Sequence, residues 1–139
     1  MKAQYNILAM MAMSKEACDL YKDKLGCLID DDCSNLARLI LLDYKNYDTC
    51  NLSRILDYTD DLGVKNLITT LGASEDLISE YNSSVFTDTL NRVIKELKLA
   101  EFDKIKNDVS EYDAKGDNEK VKELLTRLQK LAKELKEQI

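Results

Sequence analysis

Residues 102–139, FDKIKNDVSEYDAKGDNEKVKELLTRLQKLAKELKEQI, decide the fold. Val121, Leu124, Leu125, Leu128, Leu131, Ala132, Leu135 and Ile139 recur at helical spacing, so one apolar stripe runs down a helix whose other faces are Lys and Glu. Phe102, Ile105, Val109 and Tyr112 repeat the pattern before the break at Ala114-Lys115-Gly116-Asp117-Asn118. Folding the two arms back about Gly116 sets Tyr112 near Val121, Val109 near Leu124, Ile105 near Leu128 and Phe102 near Leu131. Gly116 suits the left-handed residue that closes a helix, and Asp117 or Asn118 can cap the next one. The spacing therefore predicts an antiparallel helical hairpin. A two-helix hairpin leaves the edges of its stripe wet, so it either packs on the rest of its chain or offers those edges to another protein.

Outward from the hairpin the same language continues. With no Pro and only four Gly in 139 residues, the chain lacks the punctuation of a β-rich fold, and an all-α class is expected. Tyr5 to Met13 forms a short core helix, and Ser14 caps a second that ends at Gly26. Asp30-Asp31-Asp32 stands at the positive end of a third, running to about Lys45. Its residues Leu36, Leu39, Ile40, Leu41, Leu42 and Tyr44 make it the expected centre, the most buried element. Asn51 caps a fourth helix and Thr59 a fifth, which Gly72 closes, and Ser74 to Tyr81 adds a turn or two. A long helix starts near Ser83, with Val85, Phe86, Leu90, Val93, Ile94 and Leu97 inward. Continued to Lys115 it would span about 50 Å, more than a compact domain of this size requires. Its stripe takes a step of five from Leu97 to Phe102, so Lys98 to Glu101 is the expected joint. The expected division is a helical bundle over 1–99 and a hairpin over 100–139.

Charge and residue types exclude several functions. The net charge of −6 opposes direct nucleic-acid binding. His is absent, and no nucleophile elbow, phosphate loop or dinucleotide-binding glycine pattern occurs, so no catalytic residues are assigned. Cys18, Cys27, Cys33 and Cys50 lack C-x-x-C spacing and read as thiols packed like small apolar residues, not as a zinc site. A calcium loop beginning at Asp30 fails, because Asn35 stands where the turn Gly belongs and Leu41 where the bidentate Glu belongs. No metal and no cofactor are expected, and an enzyme would need a divalent cation at Asp30 to Asp32. Between Asp30 and Asp61 eight acidic residues face three basic ones, Arg38, Lys45 and Arg54, which suggests an acidic side. The opening apolar run is too short and too interrupted by Asn6 for a signal peptide or membrane span, so the expected location is cytoplasmic. The last stripe covers only about three heptads and already has a partner in the preceding arm, so a monomer is expected over a coiled-coil dimer.

The order of short-helix bundle, long helix and charged terminal hairpin resembles the C-terminal helicase-binding domain of bacterial DnaG-type primases. The likeness rests on Asn6-Ile7-Leu8-Ala9-Met10-Met11 before Ser14-Lys15-Glu16, and on Ala114, Gly116-Asp117, Leu124-Leu125, Leu128-Gln129, Leu131 and Glu134-Leu135. It implies a non-catalytic domain whose bundle is similar to the N-terminal domain of the replicative helicase. It also implies that the hairpin docks on the N-terminal domains of the hexameric helicase, recruiting primase to the fork and modulating helicase activity. The zinc-binding and RNA-polymerising parts of such a primase are absent from these residues, as expected of a piece of a longer protein. Exposure logic assigns partner binding to Tyr112, Lys115, Asp117, Lys120, Leu124, Arg127, Leu128 and Leu131, large side chains that a hairpin half covers. The rival is a free-standing structural or regulatory helical protein-interaction domain.

Overall fold

The computed structural model describes residues 2–74, 77 and 79–137. Among them are seven helices and no strand: α1 Lys2–Met13, α2 Lys15–Lys24, α3 Asp31–Tyr47, α4 Leu52–Tyr58, α5 Leu62–Ala73, α6 Ser83–Ala114 and α7 Asn118–Glu137. The all-α class holds. The packing forms two compact units, Met1–Val93 and Ile94–Ile139, with the division before the boundary expected after Leu99. Helix α6 is continuous through Lys98 to Glu101, with its beginning in the first unit and the rest in the second. Its 32 residues make it about 48 Å long. The turn expected over Ser74 to Tyr81 falls partly on Glu75, Asp76 and Ile78, outside the described residues, as does the stripe's last member, Ile139.

In the first unit α3 is central, packing against α1, α4 and α5. Cys33, Leu36, Ala37, Ile40 and Tyr44 form its sealed face, one residue in every three or four. Ile7, Leu8, Met10 and Met11 of α1 and Val64, Leu67, Ile68 and Leu71 of α5 complete the core, joined by Phe86, Leu90 and Val93 from the start of α6. The run Leu39-Ile40-Leu41-Leu42 corrects the expectation that all of it is buried. Four consecutive residues at 3.6 per turn surround a helix, and the neighbours cover one side, so Ile40 is sealed while Leu42 remains 42% exposed.

Side-chain caps mark most helix starts. Asp30 Oδ2 accepts from the Cys33 N–H at 3.0 Å, and Asn51 Oδ1 accepts from the Ser53 and Arg54 N–H groups at 2.9 and 3.3 Å. The cap of α5 is Asp61, not Thr59. Its Oδ1 accepts from the Val64 N–H, while Thr59 Oγ1 accepts from the Asp61 N–H one step earlier. Gly72 lies inside α5, which closes on Ser74. Gly63 lies against the Asp32 carboxylate, which would have to move aside for a Cβ at that position.

Asp43 is the one charged side chain fully buried among the described residues. Arg54 grips it with two bonds, Nε to Oδ1 at 3.0 Å and an Nη to Oδ2 at 2.7 Å, and the Asn51 N–H donates to Oδ2 at 2.9 Å. The guanidinium also donates to the Thr49 carbonyl and lies 3.9 Å from the centre of the Tyr47 ring. Burial alone would raise the Asp43 pKa, but the Arg54 bonds, the Asn51 amide and the Arg54 charge together hold it below the ordinary 3.8. A group depressed on folding stabilises the fold above its unfolded pKa and ceases to do so as pH falls through the folded one. Asp43→Ala should cost about 3 kcal/mol at neutral pH, since it strips partners from Arg54 and the Asn51 amide together. Urea unfolding at pH 7 and below pH 4 checks this. The variant should lose less stability on acidification than the parent, and a cost under about 0.5 kcal/mol at pH 7 would contradict the account.

Candidate partner-binding surface

The second unit is built on the turn at Gly116. Gly116 adopts φ +76°, the left-handed conformation that favours glycine. The Asp117 N–H donates to the Tyr112 carbonyl and the Gly116 N–H to the Asp113 carbonyl, both at 3.1 Å, the paired reverse bonds that close a helix C-terminus. Asp117 Oδ1 then accepts from the Lys120 N–H at 3.2 Å and starts α7. One residue pair thus ends α6 and begins its partner.

The arms meet through Ile105, Leu124 and Leu131, all buried, with Phe102, Val109, Tyr112 and Leu128 half-buried against them. Val121, expected against Tyr112, is half-buried outside that cluster. Ion pairs fix an antiparallel register, Lys98 with Glu134 at 3.7 Å and Arg127 with Glu101 at 3.5 Å. They lie on the solvent side and contribute little stability individually.

The eight residues assigned to partner binding separate into three kinds. Leu124 and Leu131 are 3% and 8% exposed, which corrects the expectation that the hairpin half covers them. They are its core, because the antiparallel arm supplies enough apolar surface to seal the middle of the stripe. Tyr112, Lys120 and Leu128 are half-buried, with the Lys115 and Lys120 ammonium groups 5.4 and 5.9 Å from the Tyr112 ring centre. Lys115, Asp117 and Arg127 are exposed, and Lys115 is engaged by Glu111, whose carboxylate raises its pKa. Among the described residues of this unit the exposed large apolar ones are Leu99 and Leu125, at 43% and 44%. Neither is among the eight assigned residues. The doublet Leu124-Leu125 carried the signal, since adjacent helix positions point about 100° apart and a single partner arm can seal only one.

Among the described residues no three Cys, Asp or Glu side chains come together as metal ligands. The acidic run is mostly occupied: Asp30 and Asp61 cap helices, Asp43 holds Arg54, Asp48 pairs with Lys15 and Asp32 abuts Gly63. Six of the eight, Asp31, Asp32, Asp48, Asp57, Asp60 and Asp61, are nonetheless exposed at the surface. Cys18, Cys33 and Cys50 have pKa values pushed up to about 12, chiefly by burial, so they stay protonated at neutral pH. No helix among the described residues is long and apolar enough to cross a membrane. Comparison with protein-family models, curated proteins and solved structures finds no match.

Two measurements follow from this geometry. Leu124→Ala should cost the second unit about 3 kcal/mol through lost burial and the cavity left behind, read as faster amide exchange across α7, and unchanged α7 protection would count against the cluster. Alkylation with iodoacetamide at neutral pH should modify exposed Cys27 first, and prompt labelling of Cys18 or Cys33 in the folded protein would contradict their burial.

Proposed function

We propose that the chain is a non-catalytic interaction domain, the helicase-binding domain of a bacterial DnaG-type primase. In this reading the α6–α7 hairpin docks on the N-terminal domains of the hexameric replicative helicase, brings primase to the fork and modulates helicase activity. The observation that supports it is a helical pair with its own small core that leaves Leu99 and Leu125 at the surface and Tyr112 and Leu128 half covered. Apolar side chains with part of their surface still wet are those a partner helix can finish burying. Lys115, Lys120 and Arg127 would then form a charged rim that sets orientation more than affinity. The sealing of Leu124 and Leu131 favours the second reading, a free-standing structural or regulatory interaction domain, because a hairpin that closes its own core does not need a helicase to fold.

Size-exclusion chromatography with a bacterial hexameric replicative helicase tests the proposal. The protein should co-elute with the hexamer at low salt, and Leu125→Asp should abolish co-elution while leaving helicity and thermal midpoint unchanged. Separate elution of the unaltered protein would remove the helicase reading and leave the second one. Co-elution that survives both Leu99→Asp and Leu125→Asp would move docking off this face.

A further inference from the structure

The first unit carries a groove that hairpin docking does not use. It has a volume of about 570 Å³ and is lined from α2 and α3, with Lys15 at the start of one bonded to Asp48 at the end of the other, 3.0 Å apart. Leu39 and Tyr44 also line it, and most of the other lining residues fall on two helical strips. Lys15, Cys18, Asp19 and Lys22 follow the i, i+3, i+4, i+7 series on α2, and Arg38, Leu41, Leu42 and Lys45 follow it on α3. The α3 strip therefore has an apolar centre with a cation at each end. Leu41 is half-buried and Leu42 is 42% exposed.

The charge around this groove is the reverse of the chain's. Four cations and two carboxylates line it in a protein of net charge −6. One of the carboxylates, Asp48, is already paired with Lys15. Among the described residues Lys22, Arg38 and Lys45 form no ion pair, and Arg38 donates to the Asn35 side-chain oxygen. A leucine held in water between two such cations suits a ligand with the opposite order, apolar at its centre and acidic at its flanks. The strip from Arg38 to Lys45 is about 10 Å long, close to two turns of helix. Phosphates are a poorer match, because leucines give a nucleic-acid backbone nothing to bond, and the Tyr44 hydroxyl is committed to the Ala12 carbonyl at 3.2 Å.

We propose that the α2–α3 groove receives an acidic amphipathic helix from another protein, with its apolar residues on Leu41 and Leu42 and its carboxylates at Lys22, Arg38 and Lys45. The cations at the two ends of the strip set the direction and register of such a helix, so the groove supplies placement as well as contact. The site is separate from the hairpin and does not rest on the helicase reading.

The probe is a synthetic helical peptide with Leu at i, i+3 and i+4 flanked by Glu, titrated into the full ¹⁵N-labelled chain and followed by amide shifts and by anisotropy. Shifts should concentrate on α2 and α3. Leu42→Asp and Lys45→Glu should each weaken binding about tenfold or more, whereas Leu62→Asp, at an apolar position 70% exposed elsewhere on the unit, should leave it unchanged. Failure of the peptide to bind would overturn the proposal, as would equal binding of a peptide with Lys in place of Glu, or displacement by a single-stranded oligonucleotide. Indifference to Lys45→Glu would also overturn it, and that variant stands on its own should Leu42→Asp fail to fold.

Discussion

A single buried carboxylate constrains the first unit. Asp43 has no exposed surface, and an isolated anion in such a place would cost several kcal/mol. The chain must therefore bring three donors to it at once, two from Arg54 and one from the Asn51 backbone. Meeting that demand fixes where the chain turns after α3. Asp48 takes the left-handed conformation at φ 62°, Thr49 offers its carbonyl to Arg54, and Asn51 caps α4 while its own N–H bonds Asp43. One carboxylate thus sets the exit from α3, the start of α4 and the stacking of Arg54 on Tyr47. A hydrophobic contact tolerates sliding, whereas a bidentate pair with a third donor specifies one register.

With α4 fixed, α3 has neighbours on one side and few on the other. The sealed side meets α1, α4 and α5, and further polar links fasten it: Gln4 Oε1 accepts from the Asp30 N–H, Ser34 Oγ bonds both backbone groups of Leu28, and the Tyr44 hydroxyl reaches Ala12. The opposite side keeps Leu42 wet between Arg38 and Lys45. Leaving it there reflects geometry, since four consecutive apolar residues cannot all face the same neighbours.

Helix positions and most of their ends were legible in the sequence because they depend on local rules. The Gly116-Asp117 turn, the Asn51 and Asp30 caps and the central place of α3 all follow from spacing and from side chains that reach backbone groups two or three residues away. Coverage was not legible, because it depends on what arrives from elsewhere in the chain. Periodicity put Leu124, Leu128 and Leu131 on one face without telling which the other arm would seal. It grouped Leu42 with Ile40 although they point about 200° apart. Thr59 reads as the cap of α5, but the Asp61 carboxylate takes that place, with Thr59 bonding the Asp61 amide behind it. The role of Asp43 was hidden as well, since nothing local distinguishes it from the solvated acids around it.

The two units differ in how completely each satisfies itself. In the first, sealed side chains come from α1 to α5 and the start of α6, and polar links cross between elements, so a local opening breaks many contacts together. In the second, Ile105, Leu124 and Leu131 are the sealed members of a cluster otherwise half wet, and the ion pairs beside it are solvent-facing. Much of what holds α6 to α7 is therefore the Gly116 turn, which keeps the arms close and lowers the entropy cost of their meeting. A pair arranged so has room to gain stability from any partner that covers Leu99, Leu125 or Tyr112, because a ligand that prefers the folded form raises its stability by mass action. The same geometry that leaves the hairpin modestly stable alone makes its stability responsive to binding.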